Sequence, residues 1–319
     1  MPKLSLPPYL DSSMLSSWRA CKRKFFWSYL NALYPQGSSV HLIAGGAFAA
    51  GMEAARRLAF SRDRDRRPTH DDLLEAALKA FIREWGDYIP PENSNKSFEN
   101  TFQALAEYLT NYPPETDPIQ PIIRPNGEPA VEFTFSIPLE EAPPHPDSGE
   151  PFLFVGRFDM LGSWNGLACV VDEKTTEQMG TYWQKQWDLR GQFMGYCWAC
   201  QQLGYDVSHA VVNGIAIQKL QYKFQRVPVQ FPQHLIQRWY NQLIQDIRDM
   251  SNAYTSIQME PHLSDSFYPF NFADACSSYG GCAFISLCLA KEPENYFNNF
   301  TRFVWNPLAK QAIKELEEA

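Results

Sequence analysis

An α/β fold is what this sequence predicts. Three observations carry the expectation. Apolar residues fall at helical spacing through the first third, two runs of strand-type residues flank Asn165-Gly166, and a helix, two strands and a long helix follow. The 319 residues are 45% hydrophobic, enough to bury a substantial core and to exclude a disordered chain. No run of about eighteen apolar residues occurs, so no transmembrane helix is expected. The opening MPKLSLPPYL lacks the apolar stretch of a signal peptide. A cytoplasmic protein without membrane contact is the expectation.

In chain order, residues 11–34 are predicted to form one helix, capped by Asp11 or Ser12, with Met14, Leu15, Trp18, Cys21 and Phe25 at helical spacing. A second helix covers 42–60, its small residues suited to close packing on a sheet. Residues 69–90 and 96–112 read as amphipathic helices of a helical insertion, 61–129, that ends in Pro-rich coil. Strand signals resume at 131–139, and 140–151 is a loop. The central hairpin follows, then a helix over 182–203, strands over 207–218 and 221–229, and a long helix over 231–254. A cysteine-rich segment, 256–319, completes a single domain of residues 1–319.

The hairpin carries the chemistry. Asn-Gly between residues 152–163 and 167–175 reads as a two-residue type I′ turn. Trp164 then faces Leu167, residue i faces residue 331 − i, and Asp159 lies opposite Asp172. Lys174 shares a face with Asp172, because strand side chains alternate. Two carboxylates directly opposite each other repel. A hard divalent cation offsets that repulsion, since Mg²⁺ and Mn²⁺ prefer oxygen ligands. The lysine can then orient a water or steady charge developing on a phosphate. The alternative is a solvated hairpin in which Lys174 screens two surface aspartates. Val170 and Val171, apolar on both faces, argue for an interior strand instead.

Net charge is −8, but residues 1–67 hold eleven Lys or Arg against four Asp or Glu. The basic set, including Arg19, Lys22, Arg23, Lys24, Arg56 and Arg57, could track a phosphate backbone. Residues 62–67, where Asp63 and Asp65 alternate with arginines, read as a solvated face.

Seven cysteines, an odd number, argue against a disulfide framework. Cys276, Cys282 and Cys288 are spaced C-x5-C-x5-C, which does not align them on one helix face, and Gly280-Gly281 interrupts a helix. A loop wrapped around a group fits better. With Cys21 they supply four thiolates for a [4Fe–4S] cluster, with zinc as the rival and unliganded core cysteines as the remaining alternative. Cys197 and Cys200 form C-x-x-C in mid-helix and, like Cys169, read as core.

The string GRFD ending at Asp159, followed by Asp172-Glu173-Lys174 thirteen residues later, resembles the signature of the PD-(D/E)XK nuclease superfamily. Gln192 and Tyr196 resemble the Q-x-x-x-Y motif of its RecB-like branch, and residues four apart share a helix face. The stretch SSMLSSWRACKRKFFWSYL resembles the opening of RecB-like domains, with Cys21 at their cysteine position. In that family the second helix carries a histidine ligand and a glutamate four residues later. Glu53 holds the glutamate position here, and Ala49 stands where the histidine would be.

The resemblance implies a restriction-endonuclease-like core, a central mixed sheet flanked by helices. It implies a metal-dependent DNA nuclease, of exonuclease type, in recombination, repair or phage DNA processing. Asp159 and Asp172 would hold Mg²⁺ or Mn²⁺, with the backbone carbonyl of Glu173 and with Glu53 as a further ligand. Lys174, Gln192 and Tyr196 would complete the catalytic set. Cys21, Cys276, Cys282 and Cys288 would ligate an iron–sulfur cluster, although the family often shows a C-x2-C step. The partners would be DNA, as single strands or ends, and a helicase or single-strand binding protein. Because Ala49 departs from the pattern, the second reading is an inactive DNA-binding or scaffolding subunit that keeps the cluster.

Overall fold

The computed structural model describes residues 4–37, 39–61, 66–219, 221–277 and 281–309. The elements run β1 (Tyr9–Leu10), α1 (Ser12–Ala20), α2 (Lys22–Phe25), a π-helical turn (Phe26–Leu30), β2 (Leu33–Pro35), α3 (Val40–Ala59), α4 (His70–Trp85) and α5 (Phe98–Asn111). Then come β3 (Ile119–Pro121), β4 (Val131–Pro138), β5 (Leu153–Trp164), β6 (Leu167–Thr176), α6 (Thr181–Lys185), α7 (Gly191–Gln202), β7 (His209–Ile217) and β8 (Tyr222–Gln230). The long α8 (Gln233–Met259), two short helices, α9 (Ser264–Phe267) and α10 (Ile285–Leu289), and β9 (Phe300–Arg302) follow. The chain divides into two compact units: residues 1–37, 134–156 and 238–319, and residues 38–133 and 157–237.

In the first unit, β1 pairs in parallel with the start of β5, and β2 pairs antiparallel with β9. Asp11 caps α1 by accepting from the Met14 N–H at 2.8 Å. The expected single helix over 11–34 is interrupted. Cys21 is extended (φ −162°, ψ 111°), and helix resumes at Lys22. The break lets Arg23 turn inward, where its guanidinium lies over Phe26, Trp27 and Phe270 and meets Asp265. Those contacts outweigh the local preference for one continuous helix. Helix ends where the Asn31 side chain donates to the Phe26 carbonyl, and Ala32 then takes φ 52°. In α8, Asp246 accepts from Arg19 at 2.7 Å, and the Tyr254 hydroxyl donates to Asp147 at 2.8 Å.

The second unit holds the mixed sheet. β3 and β4 pair with β5, β5 with β6 antiparallel, β6 with β7 parallel, and β7 with β8 antiparallel. Asn165 (φ 52°) and Gly166 (φ 82°) both take the left-handed conformation of a type I′ turn. The register is the expected one, with Trp164 facing Leu167 and Met160 facing Val171. Helices cover both faces. Ile215 and Ile217 of β7 join a core with Ala44, Ala47 and Phe48 of α3 and Leu105 and Tyr108 of α5. α7 packs on β6 and β7. This is the α/β arrangement expected, a central mixed sheet between helices.

The insertion is helical as expected, with α4 started by a Thr69/Asp72 capping box. Residues 62–65 of the arginine-rich run lie outside the described residues, and Arg66 grips Asp72 at 2.8 and 3.2 Å. The helix expected over 182–203 is two helices, because Arg190 is extended (φ −72°, ψ 112°) and Gly191, a poor helix former, follows it. Cys169, Cys197 and Cys200 are buried, and burial pushes the thiols of the first two up to about 12. They are core residues, as their sequence context indicates. No helix among the described residues is long and apolar enough to cross a membrane.

The insertion also grips the central strand. Lys96, almost wholly buried, donates to the Thr175 carbonyl at 3.2 Å and its hydroxyl at 3.1 Å. Burial lowers its ammonium from 10.5 to about 8, against the opposing pull of Glu177. A folded-state value below the unfolded one means that the unfolded chain holds the extra proton between them, so this contribution makes stability rise with pH across that interval. Urea midpoints measured from about pH 8 to pH 10 should show that rise in the wild type and lose it in Lys96→Met.

Candidate active site

Strand alternation divides the three residues Asp172-Glu173-Lys174 between two faces of β6. Glu173 turns toward α3. Its carboxylate takes a two-pronged grip from Arg56 (2.6 and 3.2 Å) and a hydrogen bond from Asn213 at 3.2 Å. Asn213 is its register partner on β7. Burial alone would raise the Glu173 carboxyl, but the guanidinium holds it below the usual value. Both side chains are almost completely buried.

Asp172 and Lys174 turn the other way, toward α7. Lys174 Nζ lies 2.5 Å from Asp172 Oδ2. Gln192, in the first turn of α7, donates to Asp172 Oδ1 at 3.1 Å and lies 3.3 Å from the Tyr196 hydroxyl. Tyr196 sits edge-on to Phe158, with ring centroids 5.1 Å apart. The i, i+4 spacing of Gln192 and Tyr196 therefore braces the Asp172 carboxylate from one helix face.

Asp159 stands one residue beyond the last paired residue of the hairpin, Met160. Its Oδ2 accepts from the Glu173 N–H at 2.7 Å. Burial, then the charges of Asp172, Glu173 and Glu132, hold its carboxyl well above the ordinary value, and Lys174 only partly offsets them. Asp172 is raised too, by burial first, with Lys174 as the main opposing charge. Lys174 stays charged. Burial would lower it, but Asp172 and Asp159 raise it above the usual lysine value. The structure thus brings Asp159, Asp172, Lys174, Gln192 and Tyr196 together.

Glu53 lies on α3 and pairs with Arg57 at 2.9 Å, while Arg57 also donates to the Val131 carbonyl. The acids that weigh most on Asp159 are Asp172, Glu173 and Glu132, whereas Glu53 is held by Arg57. Among the described residues, no group of three or more His, Cys, Asp or Glu is arranged to hold a metal ion. A pair of carboxylates, Asp172 buried and Asp159 half-buried, whose charges are only partly offset still matches the donor chemistry of a hard divalent cation. Asp159 and Asp172 fit such an ion on that ground.

The cysteines do not close into a metal-ligand group among the described residues. Cys276 is exposed, and Cys21, Cys282 and Cys288 are partly buried. The Cys282 N–H donates to the Cys276 carbonyl at 2.8 Å. Burial raises the Cys288 thiol, and Cys282 and Cys21 lie close enough to add to the effect.

Four contributors escaped the sequence reading. Arg56 falls, by sequence, in a basic set suited to a phosphate backbone, yet it is the buried clamp on Glu173. Asn213 gave no signal apart from the register. Arg190, at the start of α7, carries charge that reaches both Asp172 and Lys174. Glu132 is the one acid within the apolar run of β4. It pairs with Arg157 at 2.6 Å and takes φ 48°, a left-handed backbone that costs a non-glycine residue about 1–3 kcal/mol.

The profile of the PD-(D/E)XK nuclease superfamily matches residues 12–289. The chain belongs to that superfamily, whose members are metal-dependent nucleases that hydrolyse phosphodiesters. No curated protein matches it. A solved structure titled "Crystal structure of SSO0001" aligns at 11% identity over 80% of this chain and 98% of that one, with a TM-score of 0.30, too low to inform the function.

The uncompensated carboxylate has a measurable consequence. Asp159→Asn keeps an acceptor for the Glu173 N–H and removes a buried charge facing other acids. It should stabilise the metal-free protein by about 1–2 kcal/mol, read as a higher thermal midpoint in EDTA. The same variant should lose the further rise that Mn²⁺ gives the wild type.

Proposed function

We propose that this chain is a deoxyribonuclease that uses Mg²⁺ or Mn²⁺ and cuts DNA from an end, as RecB-like exonucleases do. The observation that carries the reading is the pair Asp172, buried, and Asp159, half-buried, both incompletely neutralised, with Lys174 and Gln192 fixed on Asp172. Asp159 and Asp172 would hold the ion, aided by the Glu173 carbonyl and by Glu53. When bound, the ion supplies Lewis-acid stabilisation of the attacked phosphate and a more acidic water. Lys174, held cationic by its acidic neighbours, steadies the charge that develops on the phosphate oxygens. Gln192 fixes one Asp172 oxygen, and Tyr196 limits the movement of Gln192. Arg56 keeps Glu173 away from the reaction face, so the strand carries its acid on one side and its structural ion pair on the other.

The four cysteines, Cys21, Cys276, Cys282 and Cys288, we assign to a [4Fe–4S] cluster, with zinc as the alternative. The support is their thiolate chemistry and the proximity of Cys282 and Cys21 to Cys288, whose thiol they help to raise. No catalytic step runs through this group. Iron, sulfide and zinc analysis of anaerobically purified protein decides between the two. A helicase or single-strand binding protein as partner, and a place in recombination, repair or phage DNA processing, follow from the superfamily by analogy alone.

One observation favours the second reading, an inactive DNA-binding or scaffolding subunit: Ala49 stands where the family places a histidine. Cleavage of end-labelled DNA separates the two. Wild type with Mn²⁺ or Mg²⁺ should degrade the label, EDTA should stop it, and Lys174→Ala should lose roughly 100-fold or more in rate while remaining folded. Wild type that binds DNA and cuts none under any metal would establish the inactive subunit.

A further inference from the structure

The segment that joins β6 to α7 is unusual in what it exposes. From Thr181 to Arg190, only Trp183 and Trp187 are buried, and the other eight residues face solvent. The two tryptophans meet edge-on at 5.3 Å, and Trp187 packs in turn on Phe193 of α7. A surface segment is thus pinned by two large rings. On either side of them it presents Tyr182, 90% exposed, and Leu189, 72% exposed.

The anchoring places this segment beside the reaction face. Trp183 lies against Gly214, where an added Cβ would come within 2.2 Å of the indole ring and 2.5 Å of the Met179 sulfur. Gly214 is the register partner of Lys174 in the parallel β6–β7 pair, and paired residues project from the same face. The absent side chain at Gly214 is therefore what admits Trp183 next to Lys174. The other end is tied to the same place, since the charge of Arg190 reaches Asp172 and Lys174. Lys185 and Arg190 are exposed on the segment, with Asp188 between them as its one acid.

A rigidly based, solvent-facing aromatic ring with cations close by is the combination that holds unpaired nucleotides. A base stacks on the ring whatever its identity, and the cations follow the backbone. We propose that Tyr182 is a stacking platform for an unpaired base next to the scissile phosphate, with Lys185 and Arg190 contacting flanking phosphates, so that the site selects single-stranded DNA ends. This deepens the nuclease reading and rests on it. A duplex keeps its bases stacked internally and gains nothing from the ring. A protein partner docking on Tyr182 and Leu189 is the competing occupant, and the segment's continuity with the phosphate-handling lysine favours nucleic acid over it.

The test compares wild type, Tyr182→Ala and Tyr182→Phe on full-length protein in EDTA, where no cleavage occurs. The probes are a single-stranded oligonucleotide carrying 2-aminopurine near one end and a blunt duplex of the same sequence. Because Tyr182 is exposed, neither substitution disturbs the core. Wild type and Tyr182→Phe should quench the 2-aminopurine. Tyr182→Ala should leave it bright and bind the single strand about tenfold more weakly, with duplex affinity unchanged. Equal quenching and equal single-strand affinity in Tyr182→Ala would overturn the platform, as would a parallel loss on duplex and single strand. Metal-dependent cleavage by the wild type, run alongside with Lys174→Ala as control, keeps the two readings apart. If cleavage is present and the ring is irrelevant, the platform falls and the nuclease stands. If wild type neither binds nor cuts DNA, both fall.

Discussion

Two aspartates, Asp172 buried and Asp159 half-buried, share one corner of this fold, and the surrounding structure does not fully neutralise them. Asp159 and Asp172 are both held above the ordinary carboxylate value, by burial first and then by acidic neighbours. A protein selected for stability alone would replace one with an apolar residue, since unpaired buried charge is costly. This chain instead surrounds the pair with positioned groups. The Glu173 N–H bonds to Asp159, Gln192 bonds to Asp172, and Lys174 closes on the other Asp172 oxygen. The strain is local and sits where a cation would relieve it, a familiar compromise between stability and activity.

The period of a β-strand keeps the chemistry tidy. Three adjacent charged residues, Asp172-Glu173-Lys174, would neutralise one another if they shared a face. Alternation sends Glu173 toward α3, where Arg56 and Asn213 saturate it. A buried pair of this kind adds little net stability, but removing one partner leaves the other stranded at a cost of about 3–5 kcal/mol. Its value is positional. It fixes the roll of β6 so that Asp172 and Lys174 face α7, and Lys96 holds the same strand one residue farther on, through Thr175.

Much of this was legible in the residues. Asn165-Gly166 between two strand-type runs gives the turn and the turn gives the register, whose pairs run to Met160 and Val171, one residue short of Asp159 and Asp172. Helical spacing placed Gln192 and Tyr196 on one face. What could not be read depends on contacts distant in sequence. The break at Cys21 comes from Arg23 turning in among Phe26, Trp27 and Phe270. The division of the helix expected over 182–203 comes with the extended Arg190 and two anchoring tryptophans, one of which, Trp183, lands against Gly214 on another strand. Arg56 grouped with Arg57 in a basic set suited to phosphates, because the sequence does not say which of the two faces the sheet. Glu132 contributes through a left-handed backbone that no residue type other than glycine advertises.

The central claim is that the Asp159–Asp172 corner is built for a divalent cation. A crystal grown with Mn²⁺ and measured at the manganese absorption edge tests it most directly. The account predicts an anomalous peak in contact with carboxylate oxygens of both Asp159 and Asp172, with Lys174 drawn off Asp172. A well-ordered structure at saturating Mn²⁺ with no peak there, and Lys174 still closed on Asp172, would contradict it.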